Sequence, residues 1–426
     1  MTSSGDRMHA LVRELYPVPR SITGDGLRTT LRRLAQEFPL TLHEVPSGTA
    51  VLDWVVPPEW NVREAWIEGP DGRRVVDMAD HNLHLVGYST PVQAALSLAE
   101  LRPHLHSLPD QPERIPYRTS YYTPSWGFCL PHRVLEGLPD GSYAVRIDST
   151  LDAAGSLTYA EGVVEGTDAG EVLISCHACH PSLANDNLSG LAVAVELARA
   201  LADRHPRFTY RFVFLPGTIG SITWLARNPD AADRIRHGLV LTGVGDPGGL
   251  TYKRSRRGTA LVDRAATHVL SHASGASVRD FTPWGYDERQ YCSPGFDLPV
   301  GCLMRTPHGE YPEYHTSGDT PDLLTADALD DTLARLLDIV EVMEHDGTWV
   351  NTAPRGEPQL GRRGLYRAVG GTALPDVEFA MLWVLNQSDG SHSLLDIAER
   401  SGLPFRTIHA AAEALHQHDL LTAARD

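Results

Sequence analysis

Two imidazoles and a carboxylate stand close together in Ser175-Cys176-His177-Ala178-Cys179-His180-Pro181-Ser182-Leu183-Ala184-Asn185-Asp186-Asn187-Leu188-Ser189-Gly190. An apolar run, Val172-Leu173-Ile174, precedes this stretch, and a helical pattern from Leu191 to Leu201 follows it. The spacing puts His177, His180 and Asp186 in a loop between a buried strand and a helix, the place where open α/β sheets bind ligands. Imidazole with carboxylate is the donor mix of Zn²⁺ and similar borderline ions, so the expected chemistry is metal binding. His-x-x-His alone is a weak signal, and an Asp that opens a helix can serve as an N-cap. An Asp between two asparagines, this close to two imidazoles, asks for more than capping. The later polar and aromatic segment Tyr311-Pro312-Glu313-Tyr314-His315-Thr316-Ser317-Gly318-Asp319-Thr320 brings His315 to another expected strand-end loop. Cys176 and Cys179 have the spacing of a redox pair or a zinc knuckle, but no second cysteine pair accompanies them.

The elements that must position these groups follow from periodicity. From Ser142 to about Asp346, strand-like runs (Tyr143 to Ile147, Val172 to Ile174, Tyr210 to Phe214, Leu239 to Leu241) alternate with helical ones (Gly190 to Asp203, Ile219 to Arg227, Thr259 to Ala273, Ala326 to Glu344). That alternation predicts an α/β sandwich with a largely parallel sheet. Residues 1–40 read as helical, with a Leu27, Leu31 and Leu34 stripe broken by Pro17-Val18-Pro19 and Thr23-Gly24-Asp25. Residues 41–120 switch to short β-rich runs separated by turns such as Gly69-Pro70-Asp71-Gly72, which predicts a small inserted β domain. The α/β region is expected over 121–350, and an Arg-bearing linker from Pro354 to Gly371 leads to a compact helical domain over 360–426. Its Ser393 to Leu403 segment has helix-turn-helix spacing with a Gly in the turn.

Composition bounds the function. A chain of 426 residues with 42% hydrophobic and 21% charged residues reads as a soluble protein of two or three domains. No run approaches the ~18 apolar residues of a membrane span, and the N-terminus lacks the basic and apolar regions of a signal peptide, so a cytoplasmic location is expected. Five scattered cysteines suit reduced thiols. A formal charge of −17 argues against nucleic acid or an anionic membrane as the main partner. The helical domain is acidic too, so a protein or domain contact is the expected use of its helix-turn-helix. A homo-oligomer stays open.

A strand-end His, Asn-Asp-Asn before Ser-Gly and a late Tyr-His-Thr-Ser-x-Asp together resemble the zinc exopeptidases that include bacterial aminopeptidases and glutaminyl cyclases. The chain is most similar to a bacterial aminopeptidase-like family of formerly unknown function. Ser21-Ile22-Thr23-Gly24-Asp25-Gly26, His43-Glu44-Val45-Pro46-Ser47-Gly48, Trp126-Gly127-Phe128-Cys129 and Asp287-Glu288-Arg289-Gln290-Tyr291-Cys292-Ser293-Pro294-Gly295-Phe296 carry that likeness across nearly the whole length. The resemblance implies an α/β/α sandwich of the zinc-exopeptidase kind, an inserted β domain and a C-terminal winged-helix-like domain. It implies that Asp186, His177 and His315 ligate zinc. Relatives place a carboxylate at the position of Cys179, where His180 can supply a ligand instead. Because a catalytic site keeps a position open for water, three of the four, with His177 or His180 among them, are expected to bind.

The chain departs from the pattern at two carboxylates. Gly217, in Phe214-Leu215-Pro216-Gly217-Thr218, stands where the relatives carry their Glu base, and the other metal-binding carboxylate falls near Thr242. One zinc ion rather than two is therefore expected. Glu288 and Glu313 are the first candidates for the missing proton transfer, with Glu161 and Glu165 behind them. Arg289 and Arg305 are the candidates for holding a substrate carboxylate. The expected activity is zinc-dependent hydrolysis of an amide or peptide-like bond in a small substrate. The alternatives are acyl transfer, cyclisation or condensation, in which the substrate's own amine attacks, and a metal- and ligand-binding protein without turnover.

Overall fold

A computed structural model of the chain describes residues 3–365 and 376–424. Part of the expected linker, including Arg367, lies outside the described residues. Two compact units emerge, Met1–Gly258 with Arg279–Leu333, and Thr259–Val278 with Ala334–Asp426. No described helix is long and apolar enough to cross a membrane.

The centre of the first unit is a mixed sheet. Its order runs Thr41–Pro46, Ser156–Val164, Thr209–Leu215, Glu171–His177, Ile235–Leu241, Val300–Met304, Thr251–Lys253. Glu171–His177 pairs in parallel with both Thr209–Leu215 and Ile235–Leu241, and the latter pairs in parallel with Val300–Met304. Every residue of Glu171–His177 and of Thr209–Leu215 is buried, as expected of parallel strands covered on both faces. The neighbouring helix Gly190–Ala202 is correspondingly apolar nearly all round. Arg211 interrupts that interior and is neutralised by Glu171, at 2.5 Å, and by Glu161. Trp224 Nε1 donates to the other oxygen of Glu161 at 2.7 Å, so this carboxylate holds the fold together and is not available to a reaction.

The structure moves several expected boundaries. Thr41–Pro46 pairs with Ser156–Val164 in the central sheet, not in the small β domain. Ser142–Asp152, read as the first strand of the α/β region, is instead the third strand of the four-stranded antiparallel sheet Arg74–Asp77, Glu59–Glu68, Ser142–Asp152, Val92–Ser97. Pairing over ten residues of Glu59–Glu68 outweighs the distance in sequence.

The C-terminal domain, expected to be all helical, carries helices Asp376–Gln387, Leu394–Ser401 and Phe405–His416 and also a small sheet. That sheet has the order Asp389–Ser393, Thr348–Asn351, Leu421–Ala423, with strands of three to five residues, too short to show a period in sequence. In the second unit Arg264 of helix Leu261–Ser271 binds Asp396 at 2.7 Å and Glu399 at 2.6 Å, so the acidic face of Leu394–Ser401 is met by a cation of the same unit.

Gly190 links the metal loop to its helix in a space that admits no side chain. A Cβ there would lie 2.4 Å from Asn187 Oδ1 and 2.6 Å from the Leu241 carbonyl oxygen. Gly190→Ala is expected to cost about 1–3 kcal/mol through this overpacking and to lower the thermal midpoint; an unchanged midpoint in thermal unfolding would refute the close approach.

Candidate metal centre

The sheet delivers its functional groups from the carboxyl ends of adjacent parallel strands. His177 is the last residue of its strand and lies in register with Leu215, two residues before Gly217. Asn185, Asp186 and Asn187 follow in an irregular turn before Ser189 and Gly190. Both amides of the triplet knit backbone. Asn187 donates to the Leu241 carbonyl at 2.9 Å and accepts from Gly190 N–H at 3.2 Å, while Asn185 accepts from Gly245 N–H at 2.9 Å and donates to Asp246 at 3.1 Å. Asn187 Nδ2 also comes within 3.5 Å of His177 Nδ1, and Asp186 is the member of the triplet that meets several imidazoles.

The four expected metal-binding side chains meet. Asp186 Oδ1 lies 2.8 Å from His177 Nε2, and its Oδ2 lies 2.9 Å from His315 Nε2 and 3.6 Å from His180 Nδ1. His177 Nε2 and His180 Nδ1 are 3.1 Å apart. Zinc bonds of about 2.0–2.1 Å place tetrahedral neighbours about 3.3 Å apart. The ligand atoms of His177, His180 and Asp186, all within 4.8 Å of one another, fit one such ion in chemistry and span, with His315 joining through Asp186 Oδ2. Side-chain exposure rises from 1% at His177 and Asp186 to 13% at His180 and 34% at His315, which puts the open side of the centre at His315. Burial works to raise the Asp186 carboxyl, but the His180 and His177 imidazoles hold it well below the usual range. Burial lowers His180, with Asp186 opposing.

A shell of groups absent from the sequence reading fixes these four. Asp319 accepts the backbone N–H of Asn185 at 2.6 Å and of Asp186 at 3.0 Å, tying the late motif to the metal loop. Burial pushes the Asp319 carboxyl up to about 7 against those two bonds. Tyr117 N–H donates to the His315 carbonyl at 2.8 Å, and its ring stands edge-on to both His180 and His315. Tyr286 stacks on His177 and Tyr314 on His315, with Tyr286 hydroxyl donating to Tyr314 at 3.0 Å. His315 itself adopts φ of 53°, a left-handed conformation uncommon for a side-chain-bearing residue. Buried Arg20 holds the His180 carbonyl at 2.9 Å and the Leu15 carbonyl at 2.6 Å.

The remaining candidates are distributed differently. Glu288 is fully buried against Lys253 at 2.5 Å, and Glu313 is paired with Arg114 at 2.7 Å. Arg305 spends its guanidinium on the carbonyls of Gly248 and Ala328 and on Asp331. Arg289 is half-buried, with Nε lacking a partner among the described residues.

The carboxyl group beside Gly217 is that of Asp287. A Cβ at Gly217 would lie 3.1 Å from His177 Cβ and 3.6 Å from Asp287 Oδ2. Asp287 is fully buried, its Oδ2 has no hydrogen-bond partner among the described residues, and its Oδ1 is 2.8 Å from Ser221 Oγ. The Ser221 hydroxyl also lies 2.8 Å from the Thr218 carbonyl and has one hydrogen to give, so a protonated Asp287 can donate to Ser221 in turn. Burial, opposed by the Ser221 bond, pushes Asp287 up to about 7. The sequence signal was present, since Asp287 directly precedes Glu288 in a motif already singled out, but residue type alone cannot say which of two adjacent carboxylates is paired.

Comparisons with known proteins extend the geometry. A family model described as "Domain of unknown function (DUF4910)" matches residues 9–346, and a winged helix-turn-helix model matches residues 347–423. A Clostridium acetobutylicum protein, named for polysaccharide biosynthesis and an aminopeptidase-like domain, is 47% identical over 422 residues, which cover 99% of this chain and 97% of that one. A crystal structure from the same species, described as a peptidase, superposes with a TM-score of 0.93 at 46% identity, covering 98% of this chain and 96% of that one. A Bacillus subtilis zinc aminopeptidase shares the fold, with a TM-score of 0.58 at 12% identity over 80% of this chain and 94% of that one.

Asp319→Asn keeps one acceptor oxygen and turns a donor toward a backbone N–H. Zinc affinity measured by equilibrium dialysis is expected to fall about 10–100-fold, as for other groups that orient metal ligands, with an unchanged circular dichroism spectrum. Wild-type affinity in the variant would show that the loop holds its shape without this clamp.

Proposed function

Because the chain belongs to the DUF4910 family and carries a winged helix-turn-helix behind that domain, we propose that it is a zinc-dependent hydrolase of the aminopeptidase-like class, cleaving an amide or peptide-like bond in a small substrate. The convergence of His177, His180 and His315 on buried Asp186 carries this reading. The aminopeptidase-like name of the Clostridium relative supports it, and the polysaccharide biosynthesis in the same name favours an amide borne on a sugar-derived substrate.

A zinc ion held by His177, His180 and Asp186, with the open position toward His315, would supply Lewis acidity toward a carbonyl or a water. One ion is favoured because Thr242, near the expected second carboxylate position, offers only an unpartnered hydroxyl. The protein's own contribution is orientation and proton transfer. Tyr286, Tyr314 and Tyr117 fix the imidazole planes. Asp287 takes the proton that the relatives pass to their Glu, because it flanks the space beside Gly217 with an unpartnered oxygen. Glu288, neutralised by Lys253, tunes Asp287 upward through its residual charge. Glu313 steadies the His315 loop through Arg114, and Arg289 holds a negative group of the substrate.

Gly217 also favours a second reading, acyl transfer or cyclisation, in which the substrate's amine attacks and Asp287 removes its proton. Gly217→Glu separates the two. New turnover of aminoacyl amides would mean that hydrolysis lacked only a stronger base; loss of a native transfer activity would mean that the space belongs to a different nucleophile.

Asp186→Ala and His315→Ala are each expected to lose stoichiometric zinc, and undiminished zinc in both would sink the site. Where substrate is turned over, kcat/KM is expected to rise with pH through about 7 as Asp287 gives up its proton. Asp287→Asn should remove that limb and lower kcat by about 10²–10⁴-fold, without loss of zinc. An intact limb in the variant removes Asp287 from the reaction.

A further inference from the structure

The second unit contains a cavity of about 320 Å³, at the small end of ligand pockets. It is walled by helix Leu261–Ser271, helix Ala326–His345 and the first turn of helix Phe405–His416. His268 lines it at 5% exposure, and its Nε2 has no hydrogen-bond partner among the described residues. Buried polar atoms are nearly always bonded, so a lone one facing a cavity marks a place for a ligand atom. Burial, reinforced by His272, pushes His268 down to about 4, and the ring is therefore neutral at pH 7 and can bond a hydroxyl.

The rest of the wall is amphoteric. Helix Phe405–His416 is twelve residues long and begins behind Pro404 with no side-chain cap, so its first N–H groups and positive dipole end are available to an anion. Arg406 adds an exposed guanidinium with no ion pair among the described residues. On the helix Ala326–His345 wall Asp338 is paired with Arg335 at 2.6 Å, and Glu341 brings a carboxylate that can accept from hydroxyl donors. Buried Phe405 supplies an apolar face.

A bare anion would face Glu341 at no gain, and a cation would face Arg406 and the helix dipole. The ligand must combine negative charge, hydroxyl donors and a ring-sized face. We propose that this cavity binds a sugar monophosphate, its phosphate at the start of helix Phe405–His416 beside Arg406 and its hydroxyls on His268 and Glu341. The volume admits one phosphorylated ring. The site is independent of the zinc chemistry proposed above.

Calorimetric titration of the full zinc-loaded chain tests this with glucose 6-phosphate, ribose 5-phosphate, glucose and inorganic phosphate. At least one sugar phosphate is expected to bind ten-fold or more tightly than phosphate, and glucose to be silent. Arg406→Ala and Glu341→Gln, both on exposed or half-exposed side chains, should each weaken that binding at least ten-fold while zinc content and thermal midpoint stay at wild-type values. Silence from both sugar phosphates, equal binding of phosphate alone, or full affinity in both variants would overturn the proposal.

Discussion

A carboxylate that cannot reach water dictates the architecture around it. Asp186 is 1% exposed, and an unpaired charge at such a site would cost several kcal/mol or more. Its backbone N–H is held by a second carboxylate, Asp319, also fully buried. The Asp186 charge raises Asp319, and among the described residues three imidazoles face the Asp186 oxygens. Burial pushes His180 toward neutrality, so the protein's own protons are a poor counterion there. A divalent ion would balance the Asp186 charge and use the imidazole nitrogens as ligands, so the charge balance of the loop supports the metal reading as much as the spacing of its residues does.

Crowding also bears on where a carboxylate can stand beside His177. A side chain at position 217 would enter a gap already narrowed to 3.1 Å by His177 Cβ. Glycine relieves that crowding, and Asp287 approaches the same place from a segment that follows three further strands of the sheet. Among the described residues Asp287 is held by one hydroxyl, whereas its neighbour Glu288 has a lysine. Burial then pushes Asp287 up to about 7, the range in which a carboxyl can exchange a proton near neutral pH.

The metal loop and His315 were legible because few residue types ligate zinc and because the strand before them is an uninterrupted apolar run. The parallel strands and long helices were legible for the same reason of period and burial. What escaped reading depends on partners distant in sequence. Ser156–Val164 carries a glutamate and a glycine that break any apolar pattern, yet Glu161 is neutralised by Arg211, fifty residues away, and becomes part of the interior. Ser142–Asp152 shows a clean strand pattern but no sign of which sheet it joins, since that depends on its match to Glu59–Glu68. Asp319 and Tyr117 look like ordinary loop residues until the loop they clamp is in place.

The helix-turn-helix at the C-terminus shows how far shape alone leads. Nucleic-acid readers need cations along the presented helix, because most of their affinity is neutralisation of phosphates. Phe405–His416 offers Arg406 at its start and Glu413 toward its end, and the preceding helix Leu394–Ser401 offers Asp396 and Glu399, already claimed by Arg264 of the same unit. His409 stacks between His345 and Phe405, so part of the second helix is covered as well. A surface so committed to its own chain is suited to fixing helices Leu261–Ser271 and Ala326–His345 in place. Within the second unit these pairs tie the winged helix to helix Leu261–Ser271 and to the end of helix Ala326–His345.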